Sequence, residues 1–140
     1  MIIIQYKLLR KTSKPPFIAH SKEDAAFDLY ADEACTLYSG TVEVIKTGVA
    51  IAVPTGYFGL ILGRSSLAGA GISVLGGVID SGFRGEWRVN LLALSGPFPV
   101  HVGDRIAQCV VLPVPELNFC SVSDLPPSAR GEKGYGSSGR

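Results

Sequence analysis

Apolar and polar residues alternate in short runs along most of the chain. "IIIQYKLL", "TVEVIKTGVAIAV", "YFGLIL", "GISVLGG", "EWRVNLLAL" and "HVGDRIAQCVVLPV" are rich in β-branched residues and are separated by Gly, Pro, Asp and Ser. Period-two alternation with such punctuation predicts β-strands joined by tight turns. Helical periodicity is nearly absent, and only "KEDAAFDLYADEA" and "SSLAGAG" have room for a helical turn. The pattern therefore predicts an all-β sandwich or barrel. Prolines at 113, 115, 126 and 127 interrupt strand pairing, and a glycine-rich end follows them. A β body over about 1–114 is expected, with a mobile arm over about 115–140.

With 140 residues there is room for a single domain and not for two. Apolar residues make up 46% of the chain, which points to strands buried on both faces or to an apolar subunit interface. The net charge of +1 supplies no global field for nucleic acid or an anionic membrane, so any anion must be held by a local site. Cys35, Cys109 and Cys120 form no CxxC pair and have no histidine close by in sequence, so they are expected to be reduced, buried thiols rather than zinc ligands. His20 and His101 lie in polar or turn-like contexts and are expected at the surface. No segment approaches a membrane-spanning length and the N-terminal apolar run is short for a signal peptide, so a soluble, intracellular (cytoplasmic) protein is expected.

Candidate chemistry sits in five polar clusters that interrupt the apolar strands. No GxSxG elbow precedes a helix, and "GEKGYGSSG" lacks the lysine placement and the helix of a P-loop. "GRSSLAG" (63–69) places Arg64, Ser65 and Ser66 where an apolar strand has just ended, so a guanidinium and backbone N–H groups can face one anion. "GGVIDSGFRGE" (76–86) carries Asp80 and Phe83 and reads as a β-hairpin. "AAFDLYAD" sets Asp28 between Phe27 and Leu29, where an acid on a strand ordinarily points to water. "GDRIAQ" (103–108) suits a turn into a strand, and "RGEKGYGSSG" (130–139) suits a tail. Each cluster alone is an ordinary structural feature.

Their order and spacing together resemble the five motifs of the trimeric dUTPases, across nearly the whole chain. That resemblance implies a jelly-roll-like β-barrel, or β-clip, and a homotrimer with three active sites at subunit interfaces. It also implies conversion of dUTP and water to dUMP and pyrophosphate, with Mg²⁺ as cofactor. By the same resemblance Asp80 positions the attacking water, while Asp28 holds the metal through coordinated waters. Arg64, Ser65, Ser66 and Gln108 would surround the triphosphate. Base selection would fall to the hairpin between Leu75 and Phe83, through the backbone of Gly77 and Val78. Phe83, a tyrosine in most of the family, would lie against the deoxyribose and leave no space for a ribose 2′-hydroxyl. Arg130 would meet the γ-phosphate, Tyr135 would stack over uracil, and Gly136, Ser137 and Ser138 would donate to phosphate oxygens. Ordering a glycine-rich arm costs entropy, so closure is expected only when substrate supplies compensating contacts.

The dCTP deaminases share an "RSSLA" segment and a similar hairpin, and they are the nearest alternative. Here Gly69 stands where that group has an arginine, and Asn90 where it has a catalytic glutamate. A non-catalytic member that binds nucleotide or a protein partner is the remaining reading. Asp28, Asp80 and the arm motif weigh against it.

Overall fold

The computed structural model describes residues 2–18 and 23–134. His20, Tyr135, Gly136, Ser137 and Ser138 lie outside them. Ten strands and one short helix follow in the order β1 (Gln5–Leu8), β2 (Phe27–Tyr30), β3 (Cys35–Leu37), β4 (Val42–Ala52), β5 (Tyr57–Leu62), α1 (Ser65–Gly69), β6 (Ile72–Leu75), β7 (Val78–Ile79), β8 (Glu86–Ala93), β9 (Phe98–Val100) and β10 (Arg105–Pro113). They form two four-stranded sheets, ordered β1-β4-β8-β6 and β2-β10-β5-β7, and a two-stranded sheet β3-β9. All the pairings are antiparallel, as in a jelly-roll-like fold.

Alternation explains the core. On β8, Trp87, Val89, Leu91 and Ala93 point inward and are buried, while Arg88 between them is exposed. They meet Ile45, Val49 and Ile51 of β4 and Ile61, Ile106 and Cys109 of the second sheet. Full burial of each Leu- or Ile-sized side chain contributes about 1.5–3 kcal/mol. Thr47, also buried, donates its hydroxyl to the Trp87 carbonyl at 2.7 Å, so its polar atom is satisfied inside the core.

Several expectations are corrected. The apolar excess is not explained by strands buried on both faces, because β4 and β8 alternate and outward-facing Val42, Val44 and Leu94 are exposed. Among the described residues, segment 23–34 holds no helix: its apolar residues are spaced for β2, and "SSLAG" turns helical. The three cysteines are free, but only Cys109 is buried; Cys35 is half-buried and Cys120 exposed. Burial pushes the Cys109 thiol up to about 12, which keeps it protonated and inert. His101 is on the surface as expected, its side chain 73% exposed. Beyond Val114, whose N–H donates to Gly56 O at 2.8 Å, residues 115–134 contain no strand and are exposed throughout. Among the described residues, no helix is long and apolar enough to cross a membrane.

The hairpin expected at 76–86 is wider than its sequence suggests. Its arms are β6 and β8, paired from Ile72↔Ala93 to Leu75↔Asn90. The loop between them, 76–85, leaves that sheet and adds β7 to the edge of the other through Gly59↔Ile79 and Leu60↔Val78. Gly76 and Gly77, at φ +72° and +116°, turn the chain from one sheet to the other. A Cβ at Gly77 would stand 2.8 Å from both the Cβ and the carbonyl oxygen of Ile61, so no larger residue fits.

Candidate active site

Asp28 lies on β2, at one edge of the second sheet, opposite Gln108 of β10. Its N–H donates to Phe17 O at 2.8 Å, which fixes the strand edge. The residue is only 7% exposed, contrary to the ordinary reading of an acid on a strand. Burial is tolerated because each carboxylate oxygen has a cationic donor: Arg64 Nε reaches Oδ1 at 3.0 Å and Arg105 Nη1 reaches Oδ2 at 3.2 Å.

Both arginines arrive at strand ends. Arg64 follows β5 and precedes α1, and Arg105 opens β10. Gln108 donates its side-chain amide to Gly63 O at 2.9 Å, tying β10 to the turn that carries Arg64. A cavity of about 280 Å³ is lined by Asp28, Arg64, Ser65, Arg105 and Gln108, with Asp24 at its edge. Thus four residues chosen from sequence meet in one place: Asp28, Arg64, Ser65 and Gln108. Ser66, on the first turn of α1, is exposed and does not line this cavity. Arg105 is the residue sequence reasoning missed; its place directly before an apolar strand was the available signal.

Asp80 is elsewhere. It follows β7, and Phe83 N–H donates to its carbonyl at 3.1 Å to close the turn. Arg84 secures the same turn by donating to Ser81 O at 2.6 Å and Phe83 O at 2.9 Å. Asp80 lines a second cavity with Tyr57 and Phe58 of β5 and with Val114, Pro115 and Glu116 at the root of the arm. The two linings share no residue. β2 and β7 are the opposite edges of one sheet, three strand spacings apart, or about 14 Å. Within one chain, therefore, Asp28 and Asp80 line separate cavities.

The remaining predicted residues are distributed around this frame. Gly77 accepts the Ile61 N–H on its carbonyl at 2.7 Å in the sheet crossing, and Val78 and Phe83 are exposed on the 76–85 loop. Arg130 is exposed and donates through Nε to Lys133 O at 2.7 Å, a contact within the arm itself.

The donor chemistry bears on the metal. Among the described residues, no group of three or more His, Cys, Asp or Glu side chains is placed to hold an ion. Mg²⁺ dehydrates reluctantly and takes substrate phosphate oxygens and waters as inner ligands, so its fit turns on side chains that can hold those waters. Each Asp28 oxygen retains lone-pair capacity beyond its guanidinium bond, so a metal-bound water can still donate to it. The first cavity also carries both signs of charge, two arginines and two aspartates, which suits a metal–phosphate pair better than a bare anion.

Comparison with known proteins identifies the family and the fold. The family model described as dUTPase matches residues 13–139. A deoxyuridine 5′-triphosphate nucleotidohydrolase of Tropheryma whipplei (strain Twist) is 47% identical over 122 residues, covering 84% of each chain. The fold is similar to that of a Staphylococcus bacteriophage 80alpha dUTPase solved with dUpNHpp (TM-score 0.89, 30% identity, 99% of both chains). It is also similar to a mutant dUTPase from phage phi11 of S. aureus, described for its coordination of a structural Mg(II) ion (TM-score 0.81, 25% identity, 87% of this chain and 97% of that one). With the family model spanning residues 13–139, nearly the whole chain, this chain belongs to the dUTPase family.

Proposed function

We propose that the protein hydrolyses dUTP to dUMP and pyrophosphate, at sites built between copies of the chain in a homotrimer. One observation carries this reading: a phosphate-suited cluster (Asp28, Arg64, Ser65, Gln108) and a water-positioning carboxylate (Asp80) occupy opposite edges of one sheet. Two copies in contact can bring one edge of each to a single nucleotide. The arm supports the same assembly. Its Leu117, Phe119, Val122 and Leu125 are exposed, Phe119 to 91% and Leu125 to 84%, and a neighbouring subunit would remove that apolar surface from water.

In this reading Asp80 accepts hydrogen bonds from the attacking water, fixes its lone pair toward the α-phosphorus and takes up its proton. Arg64, Ser65, Ser66 and Gln108 hold the triphosphate by charge-assisted and neutral hydrogen bonds. Asp28 would hold Mg²⁺ through coordinated waters, and the bound ion supplies positive charge to the phosphate oxygens. Gly77 and Val78 offer backbone donors and acceptors to the uracil edge. Phe83 packs against the sugar. Arg130, Tyr135, Gly136, Ser137 and Ser138 close over the nucleotide from the arm.

Asn90 argues against deamination of dCTP. Its side-chain amide donates to Leu75 O at 3.3 Å across the hairpin, and an ionised carboxylate at that position could not make this bond. The test is hydrolysis of dUTP, dCTP and dTTP scored separately for pyrophosphate and ammonia, with wild type and Asp80→Asn. Pyrophosphate from dUTP without ammonia is expected. The variant should lose roughly 10²–10⁴-fold in turnover while still binding dUTP. Near-normal pyrophosphate release by Asp80→Asn would remove that residue from its role, and ammonia from dCTP would favour the deaminase.

A further inference from the structure

Arg10, just beyond β1, bridges two carboxylates from distant parts of the chain. Its Nε donates to Asp32 Oδ2 and its Nη2 to Glu86 Oε1. The Asp32 side chain is 1% exposed and that of Glu86 12%. Around them, Ser13 Oγ donates to Asp32 Oδ2 at 3.1 Å and Gly48 N–H donates to Glu86 Oε1 at 2.9 Å. Gly48 lies at a register shift in β4 with φ +70°, and a Cβ there would overlap both the Ser13 hydroxyl and the Asp32 carboxylate. The cluster therefore leaves no room for a side chain at residue 48. Two anions sheltered from water are compatible here because one forked guanidinium spans both, whereas the exposed Arg88, its Nε 4.0 Å from the other Glu86 oxygen, reaches only Glu86.

Glu86 is also the first residue of β8, directly after the 76–85 loop. The Phe83 ring packs over the backbone of Gly85, where an added Cβ would stand 2.7 Å from Cζ. Phe83, Gly85 and Glu86 line one cavity together with Ile79 and Arg88. Only Arg84 and Gly85 separate Phe83 from Glu86, so the ring and the carboxylate share one short segment and one cavity. We infer that Arg10 is a positioning residue for Phe83, and through it sets the preference for deoxyribose over ribose. This rests on the dUTPase reading above. Without the guanidinium, Glu86 and Asp32 repel, the start of β8 turns toward water, and the ring no longer crowds a 2′-hydroxyl.

The experiment compares kcat/KM for dUTP and UTP, by pyrophosphate release, in wild type, Arg10→Met, Arg10→Lys and Arg10→Met/Glu86→Gln. Arg10→Met is expected to lower the dUTP-to-UTP ratio about tenfold, largely through a lower KM for UTP. Arg10→Lys, whose single ammonium cannot fork across two carboxylates, should fall between that variant and wild type. Glu86→Gln in the Arg10→Met background removes one of the opposed charges and lets an amide donate to Asp32, so the ratio should rise again. A smaller fraction of folded enzyme would lower turnover of both substrates in proportion and leave the ratio unmoved. An unchanged ratio in both Arg10 variants overturns the inference, as does a double variant no better than Arg10→Met. Failure of the wild type to hydrolyse dUTP would instead sink the hydrolase reading on which the inference stands.

Discussion

At the scale of single residues, neighbouring polar groups decide how far a carboxylate here is tolerated out of water. Asp28 keeps its place beneath two guanidiniums. Burial pushes the Asp32 carboxyl up, but hydrogen bonds from Thr12, Arg10 and Ser13 outweigh that and hold it below its ordinary range. A carboxyl whose folded value is depressed contributes stability that is complete above its unfolded value and is lost as pH falls through the folded one. Asp32 should therefore contribute an acid-sensitive part of the stability below about pH 4. Urea midpoints followed from pH 7 downward test this: Asp32→Asn should be less stable at neutral pH yet fall less steeply in acid. Parallel curves for variant and wild type would place the acid sensitivity elsewhere. Reading by sequence proximity could not find this cluster, since Arg10 lies 22 positions from Asp32 and 76 from Glu86. Asp28 and Gln108 were legible because each interrupts an apolar strand, and Arg64 and Ser65 because they follow the end of one, all at a family-like spacing.

At the scale of elements, β8 and much of β4 were visible because one face of each is buried and period-two alternation records that directly. Pairing partners were not visible in the same way. The turn signals at Gly76 and Gly77 suggested a short hairpin, whereas the pair of arms is β6 with β8 and the intervening loop lends β7 to the other sheet. That crossing depends on Gly77, whose positive φ and contact with Ile61 leave no room for a side chain. Gly77→Ala should cost more than about 1 kcal/mol, read as a lower urea midpoint at unchanged slope. A variant as stable as wild type would mean the loop crosses between sheets without needing that backbone conformation. The helix was legible only as a possibility, since five residues carry too little periodicity to separate a helical turn from a capped loop.

At the scale of the whole molecule, β2 and β7 bound the same sheet on opposite sides, and this placement has a genetic consequence. If every site draws residue 28 from one copy and residue 80 from another, two inactive chains can repair each other. Co-refolding Asp28→Asn with Asp80→Asn in equal amounts would leave about a quarter of the sites with both native carboxylates. Activity should return to that fraction of wild type, although each variant alone is inert. Should the mixture stay silent while mixed oligomers demonstrably form, each chain must complete its own centre. Such complementation would make the enzyme tolerant of mixed populations of damaged alleles, because a defect on one flank can be covered by a companion subunit that is defective only on the other.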